Sequence, residues 1–288
     1  MSGAGWFHDM KQPAKMNRTK PDLRILIRGA NDVGSAVAHH LFKAGYSVVI
    51  HEIPQPTTTR RRMSFTDAIF DGHAALDGVE AQSISRLYLL RGVLAAHRVI
   101  PVVEKDIFEL LEILHPNVLV DARMRKHQYP EVQLGLAQLT IGLGPNFIAG
   151  ETTDLSIETN WGETLGGIIE RGATSPLQGE PREIDGHARD RYVYAPLAGT
   201  FHTSLQIGDA VVQGQEVARI DSVPLFAPIT GTLRGLTHDS APVTQKTKTF
   251  EVDPRIHNAQ ISGIGERPAR IAEGVVNAIQ NWEAKHVY

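Results

Sequence analysis

The stretch Leu23–Gly45 constrains the fold most, because its hydrophobic pattern changes from that of a strand to that of a helix across a glycine-bearing turn. Residues 23–28 alternate too little for a half-exposed strand, which is typical of a strand buried on both faces of a parallel sheet. The turn Gly29-x-Asn31-x-x-Gly34 follows, and a helical pattern runs on to Gly45. Such a unit points backbone N–H groups and a helix N-terminus at the end of the strand, where phosphate groups bind. The alternative is that these glycines serve packing alone.

An acidic residue stands close to the offset at which dinucleotide-binding folds place a ribose-binding carboxylate. Glu52 ends the second apolar segment, 18 positions after Gly34. Asn31 replaces the middle glycine of the usual fingerprint and narrows the approach to a pyrophosphate. Strand and helix patterns keep alternating towards residue 150, which predicts a parallel sheet. The sequence therefore predicts an α/β fold class with a Rossmann-like nucleotide-binding domain.

The candidate site follows from where ligands bind in open α/β sheets, which is at the carboxyl ends of the strands. Four predicted loops should share one crevice: residues 29–34, 52–56, 121–126 and 142–146. The run Arg60–Arg62 follows the strand that carries Glu52, and it is interpreted either as a phosphate contact or as a solvated face. The predicted cofactor-binding residues are Arg28, Gly29, Ala30, Asn31, Asp32, Gly34, Glu52, Gln55, Arg61, Gly142, Gly144 and Asn146. No catalytic residue and no metal ligand set is predicted, although Lys126 and His127 are weak candidates for a proton donor.

An internal repeat marks a second structural unit. The segment beginning at Ala195-Pro returns at Ala227-Pro, displaced by 32 residues without a gap. Two copies of a short-strand unit predict a pseudo-twofold β domain. Residues 207–218 resemble the biotinyl/lipoyl carrier, or barrel-sandwich hybrid, domain. That family carries its group on a hairpin lysine, and residues 221–224 contain no lysine, so neither covalent biotin nor covalent lipoate is expected.

These patterns divide the chain into five predicted segments. They are a flexible extension over 1–21, a Rossmann-like domain over 22–150, a connector over 151–191, a barrel-sandwich domain over 192–255, and a C-terminal helix over 256–288 that packs back on the body. The formal charge of −3 argues against nucleic acid and anionic membranes as partners. The absence of cysteine excludes disulfides, thiolate catalysis and iron–sulfur ligation, and it is compatible with the cytoplasm.

Several short motifs resemble those of the selenium-dependent molybdenum hydroxylase system proteins, the YqeB-like family. The resemblance covers residues 23–255, and its order of motifs is fairly specific. The motifs lie at residues 27–32, 52–57, 60–65, 141–147, 195–199, 227–231, 233–236 and 252–255. The resemblance implies an accessory or maturation factor for a xanthine dehydrogenase-like molybdenum hydroxylase, and with it a link to the molybdenum cofactor.

The leading hypothesis is therefore a protein that binds NAD(P) or another nucleotide non-covalently and assists a molybdenum hydroxylase. One alternative is an NAD(P)-dependent oxidoreductase that acts on a small carbonyl or hydroxy substrate. Another is a non-catalytic scaffold. The partners expected are a nucleotide-like small molecule and a molybdenum hydroxylase, with assembly into a homo-oligomer left open.

Overall fold

The computed structural model of the chain describes residues 23–126, 128–177, 179 and 181–286. The predicted extension and His127 lie outside these residues. Eleven strands precede residue 174: β1 (Arg24–Arg28), β2 (Ser47–His51), β3 (His73–Leu76), β4 (Val79–Ser83), β5 (Ile100–Val103), β6 (Val118–Asp121), β7 (Leu139–Leu143), β8 (Ile148–Ala149), β9 (Leu155–Ile157), β10 (Ile168–Ile169) and β11 (Gly172–Ala173). The helices are α1 (Asp32–Lys43), α2 (Asp67–Asp71), α3 (Leu90–Ala96), α4 (Ile107–Leu114) and α5 (Glu266–His286).

Nine of these strands form one mixed sheet, in the order β10-β9-β7-β6-β1-β2-β5-β4-β3. Every neighbouring pair is parallel except β9–β10 and β3–β4 at the two edges. The sheet therefore extends into the segment predicted as a connector, because β9 and β10 continue it. We call this sheet with its helices the α/β unit, and the structure shows the predicted α/β class in this coarser form.

The central strands are buried on both faces, so their alternate side chains enter two different cores. Ile25 and Ile27 of β1 pack with α1 and α5, whereas Leu26 packs with α3 and α4. In the apolar stripe of α5, Ile271, Val275 and Ile279 are fully buried, as the helical spacing predicts, and Trp282 is partly buried. No helix among the described residues combines the length and the apolar character needed to span a membrane.

Eight short strands follow residue 191: β12 (Tyr192–Tyr194), β13 (Gly199–His202), β14 (Ala210–Val211), β15 (Glu216–Ile220), β16 (Val223–Phe226), β17 (Gly231–Leu236), β18 (Pro242–Val243) and β19 (Lys248–Asp253). They form two four-stranded sheets, β12-β19-β17-β14 and β16-β15-β13-β18, around a core of their own. The strands β13, β14 and β15 begin 32 residues before β17, β18 and β19, so the structure confirms the repeat. We call these eight strands the β unit.

The arginine run after β2 joins the two units. Arg61 donates to the carbonyl oxygen of Leu236 at 2.9 Å and pairs with Asp67 at 3.0 Å, and Arg62 donates to the carbonyl oxygen of Ile207 at 3.0 Å. The Leu236 N–H in turn donates to the carbonyl oxygen of Thr59 at 2.7 Å. These hydrogen bonds connect two backbone carbonyl oxygens of the β unit to guanidinium groups of the α/β unit. Arg61, predicted to contact a cofactor, therefore holds the β unit in place.

Candidate functional site

Three N–H groups of the turn between β1 and α1, those of Ala30, Val33 and Gly34, already donate to the chain's own side chains. The Ala30 N–H donates to Glu52 Oε2 at 2.6 Å, and the Ile53 N–H donates to the other oxygen of that carboxylate at 2.8 Å. Asn31 Oδ1 accepts from the N–H groups of Val33 and Gly34, at 3.0 and 3.2 Å. A phosphate at a helix N-terminus needs these donors free. The turn is thus an internally capped helix start.

The acidic side chains at this turn also interact with the chain's own groups. Burial raises the pKa of Glu52, although two backbone N–H groups partly oppose this. Burial would also raise the pKa of Asp32, but the charge of Arg60, 3.0 Å away, outweighs it and lowers that pKa. A Cβ on Gly34 would lie 2.0 Å from the carbonyl oxygen of Gly29. The two glycines therefore let α1 pack against the end of β1, which is the packing alternative named above.

The other predicted site residues lie along the same edge of the sheet, with different roles. Arg28 ends β1 and pairs with Glu131, and Gln55 is exposed after β2. Gly142 lies inside β7, where a Cβ would lie 2.2 Å from the ring of Phe147. The remaining two, Gly144 and Asn146, shape the loop after β7; the Asn146 amide donates to the carbonyl oxygen of Gln128 at 3.2 Å. The structure brings these loops together as expected.

A dense group of charges lies at the junction of the two units, and it is centred on a carboxylate that the sequence did not single out. The Glu251 side chain is 0% exposed and accepts from Arg191 at 2.8 Å, from Arg234 at 3.0 Å and from Arg60 at 3.3 Å. Burial opposes ionisation, yet the surrounding cations, Arg60 foremost, hold the pKa of Glu251 well below its usual range. Glu251 is therefore an anion that ties the β unit to the α/β unit.

Three further cations lie beside this ion-pair network, and we call them the cation cluster: Lys126 from the loop after β6, Lys248 from β19 and Arg267 from the start of α5. No ion pair joins any of them to an acidic group among the described residues. Lys248 Nζ lies 4.7 Å from the centre of the Tyr192 ring, and Arg267 donates to the carbonyl oxygen of Thr159 at 2.7 Å. The acidic groups whose charge acts on the cluster include Glu251 and Asp32, and both are already paired with arginine side chains.

The pKa values of all three cations are lowered, as expected where positive charges outnumber nearby negative ones. Loss of hydration and the charge of Arg60 lower the pKa of Lys248 to about 8. Loss of hydration lowers the pKa of Lys126 as well, and the charge of Arg267 lowers it further. The pKa of Arg267 also falls through burial, against a partly opposing effect of Asp32. The cluster therefore holds positive charge at an electrostatic cost that a bound anion would relieve.

The sequence contained one signal for this region. The repeat aligns Lys248 with Glu216 and Glu251 with Arg219, so the two copies carry opposite charges at matched positions. Glu216 and Arg219 form an exposed pair at 2.6 Å, whereas their counterparts lie at the junction. A reversal of charge between aligned positions thus indicates which copy has its charged side chains at the junction with the α/β unit.

Two other features of the described residues, a groove and the acidic and histidine side chains, add no candidate. A groove of about 320 Å³ lies between residues 163–167 and α5, and it includes no member of the cation cluster. No group of three or more His, Asp or Glu side chains among the described residues is arranged to hold a metal ion.

No family model matches the chain. The chain is 35% identical over 256 residues to the uncharacterized protein YqeB of Escherichia coli strain K12, and the match covers 88% of this chain and 47% of that protein. The chain thus spans about half the length of the curated relative it matches. This similarity supports the YqeB-like resemblance, and it brings no link to a molybdenum hydroxylase.

Solved structures give distant matches. They include a succinylglutamate desuccinylase/aspartoacylase from Rhodobacter sphaeroides (18% identity, 50% of this chain and 59% of that chain, TM-score 0.22). Another is a succinylglutamate desuccinylase from Silicibacter sp. TM1040 (13% identity, 80% and 84%, TM-score 0.24). A third is the product-bound ectoine utilization protein EutE (DoeB) from Ruegeria pomeroyi (10% identity, 80% and 85%, TM-score 0.25). With TM-scores this low, no reaction is transferred to this chain.

The prediction of a nucleotide-binding accessory protein for a molybdenum hydroxylase is wrong. The solved structures it matches carry the names of succinylglutamate desuccinylases, an aspartoacylase-family protein and an ectoine utilization protein. The turn supplies the physical reason, because Glu52 and Asn31 take the N–H groups that a phosphate would need. Two related expectations are therefore also wrong, namely NAD(P) as a cofactor and an NAD(P)-dependent oxidoreductase. The descriptions of the chain as nucleotide-binding, as linked to the molybdenum cofactor and as lipoyl-like are wrong as well.

Proposed function

We propose that the chain binds a small, multiply charged oxyanion, of the polycarboxylate or phosphate type, at the cation cluster. The observation that carries this proposal is the set of three cations, Lys126, Lys248 and Arg267, that have no acidic partner among the described residues. A structural ion-pair network needs no such excess. Glu251 already neutralises some of the arginine charge at the junction, and Asp32 is committed to Arg60.

The cluster is suited to a ligand that both units of the molecule hold together. Lys126 and Arg267 belong to the α/β unit and Lys248 belongs to the β unit. Lys126 is exposed, whereas Lys248 and Arg267 are half-buried, so the cluster extends from the surface inwards. Charge-assisted hydrogen bonds in a partly desolvated site are stronger than hydrogen bonds between neutral groups exposed to water.

Isothermal titration of the full chain with citrate, and separately with pyrophosphate, tests the proposal at pH 7 and low salt. We expect Lys248→Gln to weaken binding of the preferred probe at least about tenfold, since one charge-assisted hydrogen bond contributes about 1.5–3 kcal/mol. Lys246→Gln is the matched control, because it removes the same charge from an exposed turn two residues away. The probe that binds tells a carboxylate ligand from a phosphate ligand.

The pH dependence is a second readout from the same titration. Because the pKa of Lys248 is about 8, the affinity of the native chain should fall as pH rises from 7 to 9.5, while Lys248→Gln loses most of this dependence. Absence of binding by the native chain to both probes refutes the proposal. Equal weakening by Lys246→Gln and Lys248→Gln also refutes it.

We also propose that the α/β unit has a Rossmann-like arrangement of strands. The parallel strands run β2 and β5 on one side of β1, and β6, β7 and β9 on the other. A reversal of this kind supports a Rossmann-like arrangement, in which ligands bind outside the carboxyl ends of the strands at the reversal point. The cytoplasmic location stays a prediction.

A further inference from the structure

A second charged cluster lies at the ends of β1 and β6, where the strand order reverses. Arg28, Arg123 and Arg125 all bind the carboxylate of Glu131; Arg28 is 2.9 Å away and Arg123 is 2.5 Å away. Three guanidinium groups on one carboxylate are more than an exposed ion pair needs, because a single Arg can bind both oxygens. We call this set the arginine site.

The arginine site is built on rigid, buried neighbours. Asp121 is buried at the end of β6 and binds Arg123 through Nε at 3.0 Å. The fully buried Gln133 donates to Asp121 at 2.6 Å and accepts from Arg28 at 3.4 Å. The Arg28 side chain is only 8% exposed, and its Nε is a buried donor with no hydrogen-bond partner. The arginine site therefore has unused donor capacity.

Glu131 differs from the groups that hold it, because its side chain is 45% exposed. Burial works against its ionisation, but hydrogen bonds from Arg125 and Arg123 hold the pKa of Glu131 well below its usual range. It is thus an ionised, accessible carboxylate on the loop between β6 and β7. If that carboxylate left, Asp121 would be the one carboxylate among the described residues still in an ion pair with these arginines.

We infer that Arg28, Arg123 and Arg125 form a binding site for a small-molecule carboxylate, and that Glu131 is an internal occupant which the ligand replaces. The exchange substitutes one carboxylate for another in the same set of charge-assisted hydrogen bonds. An internal competitor weakens binding, because its effective concentration is of millimolar order or higher. The site is separate from the cation cluster, since it uses different arginines and its own buried carboxylate.

Titration of the full chain with malonate tests the inference. We expect Glu131→Gln to bind malonate at least about tenfold more tightly than the native chain, because the internal competitor is gone. Glu112→Gln, on the exposed face of α4, is the matched control and should bind as the native chain does. Adding Arg125→Gln to Glu131→Gln should remove most of the gain. Equal malonate affinity in the native chain and in Glu131→Gln would overturn the inference, as would a gain that survives loss of Arg125.

A measurement on the native chain keeps the test valid if Glu131→Gln folds poorly. Carboxyl ¹³C resonances report the protonation of Glu131 directly, and saturating malonate should raise its pKa towards the ordinary glutamate value. An unchanged pKa with malonate bound would place the ligand elsewhere. Lys248→Gln should leave malonate binding at the arginine site intact, so failure here and failure of the proposed anion function are distinguishable.

Discussion

Glu251→Gln is the sharpest test of how the α/β unit and the β unit are held together. The substitution keeps the shape of the side chain and removes its charge, so Arg191, Arg234 and Arg60 face a neutral amide instead of a carboxylate. One amide oxygen still accepts from Arg191 and Arg234, but hydrogen bonds to a neutral acceptor are about half as strong, which costs roughly 1 kcal/mol each. On the other side, the amide group meets the Arg60 guanidinium, which costs about 1.5–3 kcal/mol.

These contributions together give a loss of about 4 kcal/mol in the free energy of unfolding, within the range of about 3–5 kcal/mol for breaking a buried ion pair. Equilibrium urea unfolding of the full chain at pH 7 measures it. Glu216→Gln is the matched control, because Glu216 aligns with a position in the same repeat but its side chain is 40% exposed and its pairing with Arg219 contributes at most about 1 kcal/mol.

The same residue predicts a dependence on pH. Since the native pKa of Glu251 lies below the ordinary value of 4.5, its contribution is complete above that value and is lost as pH falls through the native pKa. Glu251→Gln should lack this component of the acid sensitivity. A loss of less than about 1 kcal/mol at pH 7, or one equal to that of Glu216→Gln, would refute the account of the junction.

Two further predictions concern stability. Gly34→Ala should lower the free energy of unfolding by about 3 kcal/mol or more, because its Cβ would lie 2.0 Å from the Gly29 carbonyl oxygen. Gly92→Ala in α3 is the control: it has open space around it and should raise the free energy of unfolding by up to about 1 kcal/mol in the same urea titrations. The native chain should gain stability as pH rises from about 8 towards 10.5, because the unfolded state then binds more protons at Lys248 than the folded state does. Lys248→Gln should show a smaller gain, and an equal gain would show that Lys248 is not its source.

Local patterns in the sequence predicted the local structure well. The apolar run before Gly29, the helix after it and the stripe along α5 depend on side chains close in sequence, and the structure confirms them. The 32-residue displacement likewise predicted two copies of a short-strand unit, and the structure shows three pairs of strands that begin 32 residues apart. These features follow from periodicity, which a single sequence contains in full.

The site could not be predicted in the same way, because its charges come from distant segments. The spacing to Glu52 suits a ribose contact, yet the same spacing lets the carboxylate turn back onto the Ala30 N–H. Whether a carboxylate binds a ligand or its own backbone depends on side-chain direction, which spacing does not record. Lys126, Lys248 and Arg267 are likewise ordinary cations until the α/β unit and the β unit pack against each other.

The duplication within the β unit has a consequence for assembly of the molecule. Because one strand pattern occurs twice, either copy could present a surface of similar shape to the α/β unit, so shape alone does not decide which copy docks. In the first copy, Arg219 stands where the second copy has Glu251, and an arginine there would meet the positive charge of Arg60 instead of neutralising it. This one change of sign between the two copies sets which copy meets Arg60, and it leaves Glu216 and Arg219 of the first copy exposed to solvent.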